Sequence, residues 1–377
     1  MNFEGFSAGA WRQQYQYKSF TPVLVNHDWH WQDPRINTLL ERATRALGEL
    51  NAFSLIVPDV DLFIEMHIAK EANLSSRIEG TQTAMDEALM SEELIAPEKR
   101  DDWHEVRNYV DAINMAIDEL KRLPLSTRLL CQTHAILMRG VRGEHKQPGE
   151  IRNSQNWIGG SGPGDAAFVP PHPTEVADLM SDLERFWHNE AIEVPHLVRI
   201  AISHYQFETI HPFLDGNGRI GRLLIAALFE HWGLLAEPLV YLSGYLKQHQ
   251  AEYYRRLSAI RTDGDWEGWV AFFLEGVAMA SADAERSIID VASLITADRK
   301  CLLDSTKAGP ISYRLFELLP MMPRFSVEHV RRRLETTFPT ASAAVSLLED
   351  LGIVVELTGQ KKNRIYSYQA YVELLSR

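Results

Sequence analysis

His211, Asp215, Arg219 and Arg222 crowd into the twelve-residue stretch HPFLDGNGRIGR, residues 211 to 222. An imidazole titrates near neutral pH, so His211 can take a proton from a hydroxyl as a general base. A single carboxylate, Asp215, suits magnesium, which uses few protein ligands and completes its shell with phosphate and water oxygens. Guanidinium groups grip phosphate, often in bidentate fashion. Glycine and asparagine tolerate the left-handed backbone that turns successive amides toward an anion. A base, a metal carboxylate, an amide nest and two arginines are the parts of a phosphoryl or nucleotidyl transfer site. Taken singly, each part reads as ordinary structure: a histidine before proline, an Asp-Gly-Asn-Gly turn, an arginine pair on a solvated helical face. The combination, in this order, carries the chemistry.

These groups need two helices to hold them. PHLVRIAISHYQFETIHPF, from residue 195, puts Leu197, Ile200, Ala201, His204 and Phe207 on one helical face. RIGRLLIAALFEHWG then places Ile220, Leu223, Leu224, Ala227 and Leu228 in a second apolar stripe. Arg219 and Arg222 are i, i+3 neighbours on its first turn. The loop between the helices therefore delivers free N–H groups to a helix N-terminus, a natural anion site. Helical patterning also covers about 36–120, 125–141 and 174–298, whereas residues 1 to about 35 read as an extended arm. NSQNWIGGSGPGDAAFVPPHP, 153–173, reads as a hairpin whose edge strand stops at Pro170. The expected fold is mostly α, in three parts: 1–115, 116–290 and 295–377.

The 377 residues are 45% hydrophobic with a net charge of −13, which excludes global disorder and a general nucleic-acid-binding coat. Two cysteines far apart, Cys131 and Cys301, argue against a disulfide scaffold or a thiolate zinc site. The opening MNFEGFSAGAWRQ lacks a basic start and an apolar run, and no apolar stretch approaches the roughly 20 residues of a membrane helix. The expectation is a soluble cytoplasmic protein with no membrane partner.

HPFLDGNGRIGR resembles the Fic family signature, His-x-Phe-x-Asp/Glu-Gly-Asn-Gly-Arg-x-x-Arg, at every specified position. The resemblance implies a Fic-type helical core with a β-hairpin flap. It also implies a protein adenylyltransferase, which moves AMP from ATP to a Ser, Thr or Tyr hydroxyl, its own included, and releases pyrophosphate. His211 would then be the base and Asp215 the magnesium ligand. The nucleotide-binding stretch would be Gly216, Asn217, Gly218, Arg219, Ile220, Gly221 and Arg222, with Phe213 anchoring the loop. Doc-type kinases carry a lysine where Gly218 stands and lack the last arginine. Phosphocholine transferases are not excluded by the motif.

Ser75-x-x-x-Glu79-Gly80 reads by itself as a helix end stopped by glycine. It resembles the family's inhibitory motif, which implies that Glu79 pairs with Arg222 where the γ-phosphate belongs. In some relatives that glutamate also positions water to remove AMP. The 153–173 hairpin resembles the family's flap, with Ala167, Phe168 and Val169 as the edge that registers a target segment by main-chain pairing. YLSGYLKQHQAEYYRRL, 241 to 257, resembles a segment closing the nucleotide pocket, with Tyr253 the expected contact.

Near the C-terminus, SVEHVRRRL and ETTFPTASAAVSLLEDLG read as two short helices. IVVEL and RIYSYQAYV read as strands around the basic turn TGQKKNR. Together they resemble a winged helix-turn-helix, a small α+β module. Arg331 to Arg333, Lys361, Lys362 and Arg364 keep DNA open as a partner, but Glu349 and Asp350 oppose it, so protein docking or scaffolding ranks first. A homodimer is a further candidate partner state. The alternatives to AMP transfer are a hydrolase that removes AMP, a transferase of another nucleotide, and a DNA-binding regulator that senses nucleotide.

Overall fold

A computed structural model describes residues 6–55, 57, 60–362 and 364–376. The N-terminal segment is not a plain extended arm: β1 (Gly9–Gln13) and β2 (Lys18–Pro22) pair antiparallel as a hairpin. Phe20 is buried, and its N–H donates to the Val169 carbonyl at 2.9 Å, so the hairpin is sealed onto the 153–173 segment.

Helices α1 (Arg35–Ser54), α2 (Val60–Ile78), α3 (Met85–Ala88), α4 (Arg100–Leu120) and α5 (Thr127–Leu137) follow. Then come α6 (Pro173–His188), α7 (His196–Ile210), α8 (Asn217–His231), α9 (Ser243–Gln248), α10 (Gln250–Asp263) and α11 (Trp266–Leu303). The expected stripes on α7 and α8 are buried, and so is almost every other position on both helices. A helix apolar or tightly bonded on all sides belongs at the centre of a bundle. α7 and α8 sit there, flanked by α4, α5, α6 and α11. α11 is 38 residues long and runs unbroken through 290–295, packing on α1 and α7 and then on the last helix.

The 153–173 segment differs from the sequence expectation. It makes a single antiparallel bridge, Ile158 to Phe168, instead of a two-strand hairpin. Gly159, Gly160, Pro163 and Gly164 interrupt the pairing with turns, and each costs strand propensity.

The C-terminal module comprises α12 (Pro310–Leu318), β3 (Arg324–Ser326), α13 (Val327–Arg333), α14 (Phe338–Asp350), β4 (Val355–Glu356), β5 (Ile365–Ser367) and α15 (Gln369–Ser376). Its sheet has the order β3-β5-β4, antiparallel throughout. RIYSYQAYV is a strand only to Ser367. Beyond it, Tyr371, Val372 and Leu375 form a buried helical face packed on α11 and α3, and that packing overrides local β propensity. Among the described residues, no helix is long and apolar enough to cross a membrane.

Candidate active site

The α7–α8 loop is built on its own backbone. His211 ends α7 in the left-handed region, φ 52° and ψ 60°, an uncommon state for a residue with a Cβ. Gly216, with φ 72°, N-caps α8; a side chain there would strike the Met138 sulfur. Between them the Asn217 amide spans the turn, accepting from Phe213 N–H and donating to Phe213 C=O, both at 2.8 Å. The amide of Asn156 donates to the carbonyls of His211 and Phe213 at 3.0 and 2.8 Å. Buried Arg152 donates to the His211 carbonyl at 2.8 Å and to that of Pro171 at 2.7 Å. His134 stacks flat on Phe213, with centroids 3.9 Å apart. Its Nδ1 accepts from Gly149 N–H at 2.8 Å, so Nε2 carries the proton donated to the Asp215 carbonyl at 3.0 Å. Burial pushes the His134 pKa down to about 4, in keeping with that neutral tautomer.

This frame leaves the N–H groups of Asn217, Gly218 and Arg219 without a partner among the described residues, at the positive end of α8. The free amides expected from the sequence are therefore present at this helix end. The Asn217 side chain is used up by the loop, so only its backbone faces outward.

His211 is half-buried, and burial pushes its pKa down to about 4, against the opposing pull of Glu208 and Glu79. Its Nδ1 lies 3.3 Å from the Glu208 carbonyl. A proton on Nδ1 satisfies that contact and leaves the Nε2 lone pair free, the form a general base needs. Asp215 is exposed, with one carboxylate oxygen accepting from Gly216 N–H at 2.7 Å. Among the described residues no three His, Cys, Asp or Glu side chains gather as a metal centre. A lone exposed carboxylate beside a phosphate nest still fits magnesium, whose remaining ligands are phosphate and water.

The two arginines do different things. Arg222 is nearly fully buried; its Nη2 meets Glu79 Oε1 at 2.7 Å and the Ser75 carbonyl at 3.0 Å, while Nε donates to Ser75 Oγ at 2.8 Å. Burial works against the Glu79 charge, but Arg222, then Arg219 and His211, more than offset it, and the carboxyl pKa is lowered. The Glu79 carboxylate lies directly over Gly218, so that a methyl at Gly218 would collide with it. Glu79 lies just beyond the end of α2, where Gly80 turns the chain at φ 103°. Arg219 points the other way, to Glu105 at 3.5 Å and the Met138 sulfur at 3.5 Å. Glu105 also binds Arg142 at 3.1 Å and Thr81 at 3.0 Å.

Several sequence expectations need correction. Ile220 is fully buried in the core, and Gly221 packs closely against the Glu208 carboxyl, so neither presents an exposed side chain. Tyr253 is buried too, its hydroxyl bonded to His204 Nε2 at 2.8 Å behind Arg222; it is a core residue. Phe168 and Val169 are buried, with Ile158 bridged to the first and Phe20 bonded to the second, so only Ala167 of the expected docking edge is exposed. Glu105, His134, Arg152, Asn156, Glu208 and Arg261 adjoin the site unforeseen. Burial lifts the Glu208 carboxyl to about 7, and its Oε1 has no hydrogen-bond partner among the described residues. Arg261 lies over the Phe168 ring at 3.9 Å.

The all-helical core, the inter-helix nest and the flanking glutamate define a class, and the comparisons agree. The Fic/DOC family N-terminal profile matches residues 37–118, and the Fic/DOC family profile matches 124–229. The chain belongs to the Fic/DOC family. Among curated proteins, the protein adenylyltransferase Fic of Drosophila erecta is 30% identical over 217 residues, 56% of this chain and 36% of that protein. Its Drosophila ananassae counterpart is 36% identical over 128 residues, 34% of this chain and 23% of that protein. The matched part is thus about a third or less of those relatives' length. A Fic family protein from Desulfovibrio desulfuricans G20 shares the fold, with TM-score 0.59, 22% identity and coverage of 90% of this chain and 98% of that one. A Fic domain containing signaling protein from Bacteroides thetaiotaomicron VPI-5482 does so with TM-score 0.54, 16% identity and coverage of 68% and 97%.

Proposed function

We propose that this protein is an adenylyltransferase that moves AMP from ATP onto a hydroxyl of a protein and is restrained by its own Glu79. The observation that carries the reading is the Glu79–Arg222 pair at 2.7 Å, seated over Gly218 beside the free amides of α8. A carboxylate there occupies the position an outer phosphate would take, and Arg222 cannot serve both. Removing Glu79 frees the arginine. Neutral His211 then accepts the proton of the target hydroxyl while the α8 amides hold phosphate oxygens. Asp215 would hold magnesium, which supplies charge neutralisation on the phosphates. The curated relatives' name supports ATP and a protein as substrates. The test is incubation of Glu79→Gly with labelled ATP. Incorporation of AMP into the protein or a lysate partner should exceed that of the wild type; equal or lower incorporation would refute the brake. Labelled CTP, GTP or UTP outcompeting ATP would replace AMP with another nucleotide.

DNA is not the partner we propose for the C-terminal module. Arg331 pairs with Glu328 at 2.7 Å, and Arg332 pairs with Glu328 at 3.1 Å and Glu93 at 3.3 Å. His329 meets Glu93 at 3.2 Å, and Arg324 pairs with Asp86. Arg332 and Arg324 thus reach Glu93 and Asp86, just after the inhibitory motif, whereas Arg331 pairs within its own helix.

A further inference from the structure

A cavity of about 630 Å³ lies on the side of α2 next to the face that carries Ser75 and Glu79. Its walls come from α2, α9 and α11, from the segment after Glu79, and from the end of α15. That volume is in the range of small-molecule sites. Lys70 and Arg77 project from α2, and Lys247 from α9. Among the described residues, neither the Lys70 ammonium nor the Arg77 guanidinium has a hydrogen bond or ion pair. Lys247 donates only to neutral acceptors, the Arg77 carbonyl at 3.0 Å and Gln250 at 3.1 Å.

The carboxylates that share the lining are engaged elsewhere. Asp86 pairs with Arg324, Asp283 is 3.4 Å from Arg286, and Glu71 is bonded to Ser243 at 2.6 Å and Tyr109 at 3.1 Å. Lys70 is half-buried, and burial lowers its pKa despite the field of Asp283. Lys70, Arg77 and Lys247 therefore share the space with one loosely paired carboxylate, Asp283, whose field reaches Lys70. Leu74, Leu239 and Met279 supply apolar wall.

We propose that this cavity is a binding site for a small organic phosphate, with the phosphate held by Lys70, Arg77 and Lys247 and the organic body on the apolar wall. A monocarboxylate would leave two of the three cations unmatched; a phosphate dianion with three acceptor oxygens answers them better. Such a ligand bridges α2 to α9. Resting on the function proposed above, its occupancy ties down the helix that leads into Glu79 and so keeps the carboxylate on Arg222.

Pyridoxal 5′-phosphate is a suitable probe. Its aldehyde condenses with a free lysine amine with loss of water, and borohydride reduces the imine to a stable amine that peptide mapping locates. HPFLDGNGRIGR contains no lysine, so occupation of the catalytic nest leaves no mark there. The full-length protein, treated with limiting probe, should carry label at Lys70 or Lys247 in preference to exposed lysines by about tenfold, ~1.4 kcal/mol of selectivity. Arg77→Gln, an exposed position that retains both lysines, should reduce this labelling, and so should excess phenyl phosphate. Label spread evenly over surface lysines, or unaffected by both changes, overturns the site. Saturating phenyl phosphate should also slow amide exchange over residues 70–79 in the wild type and not in Arg77→Gln. Selective labelling without such slowing overturns the tie to α2. Neither readout requires AMP transfer, so failure of the proposed activity is separately visible.

Discussion

The floor and the roof of the nest are held by different kinds of contact. In the floor, Arg219 faces Glu105 with both side chains almost wholly buried, and Glu105 is also bonded to Arg142 and Thr81. Asn217, Asn156, Arg152 and His134 bond the loop backbone from four directions. In the roof, Glu79 touches Arg222 through one oxygen, its side chain is 38% exposed, and it hangs from a helix end beside a glycine. The flap pairs with itself through one bridge, and outside contacts hold it: the Phe20 N–H to Val169 bond, the rings of Trp11 and Phe20 against Phe168, and Arg261 over that ring. A buried charge with several partners cannot leave without stranding the others, whereas a half-exposed carboxylate can exchange its partner for water. The floor is thus built to be permanent and the roof to be displaced.

The comparison predicts opposite responses from neighbouring residues. His211→Ala, placed in the Glu79→Gly background, should lower AMP transfer by about 100-fold or more, the usual contribution of a general base, without a change in melting temperature. Transfer retained at the Glu79→Gly rate would remove His211 from the chemistry. Glu105→Gln should cost stability, about 3 kcal/mol in chemical denaturation, because Arg219 loses its buried counter-charge. It should not raise transfer. Glu79→Gln leaves the buried Arg222 guanidinium with only Ser75, so it too should cost stability, on the order of 1–3 kcal/mol, but unlike Glu105→Gln it should raise transfer. If both glutamines raise transfer, or both unfold the protein, the floor and the roof are not distinct.

Acid offers a third probe. His67, His134, His211 and His231 are pushed down to about 4 and His204 to about 3, each chiefly by burial. The unfolded chain binds protons at these groups near 6.5 while the fold does not. Their contribution is therefore complete above 6.5 and is lost as the pH falls toward 4. Glu208, lifted to about 7, acts in the opposite sense: its contribution is complete below about 4.5 and fades as the pH rises through 7. Burial also raises the carboxyls of Glu65, Glu71, Glu230 and Asp298, which act with Glu208, and lowers His196, which acts with the other histidines. Just below 6.5 the histidines dominate, and stability measured by urea titration should fall as the pH drops from there. A flat or rising profile would mean that the histidines are not neutral in the fold. Transfer by Glu79→Gly should show no acidic inflection near 6.5, since His211 is already deprotonated there.

The candidate site at 211–222 was legible because a turn and two helix ends bring its groups together within one short segment. The helices around it were legible from apolar spacing, although the depth of α7 and α8 was not: one stripe of five residues looks the same on a surface helix and on a central one. The Glu79–Arg222 contact bridges residues far apart in the chain, and only the resemblance pointed to it. Glu105, His134 and Asn156 gave no local signal, since each serves the loop from a distant segment. Tyr253 and Ile220 misled for the same reason: residue type and spacing do not distinguish a core aromatic or aliphatic from one that lines a pocket. The flap misled because an alternating pattern shows which segments can pair and not which partner takes the edge; here β2 takes the Val169 carbonyl.

That substitution of partners makes the flap the smallest and sharpest test. Arg261 lies over Phe168 at 3.9 Å, half-buried, with burial lowering its pKa and Tyr205, Glu208 and Tyr253 opposing that shift. A cation over a ring contributes about 1 kcal/mol in a partly desolvated setting. Arg261→Met keeps the stem and removes the charge. Global stability should change by no more than about 1 kcal/mol, since the core behind Phe168 is unchanged. The flap keeps its bridge and its contacts with β2, so it should loosen only in part: amide exchange at Ile158 and Phe168 should quicken while that of α7 and α8 stays as it was. In the Glu79→Gly background, KM for a protein target should rise more than kcat falls, because a flap orients the target and does not take part in proton transfer. A fall confined to kcat would place Arg261 among the groups that act on the reacting phosphate, and would move it from the roof to the floor.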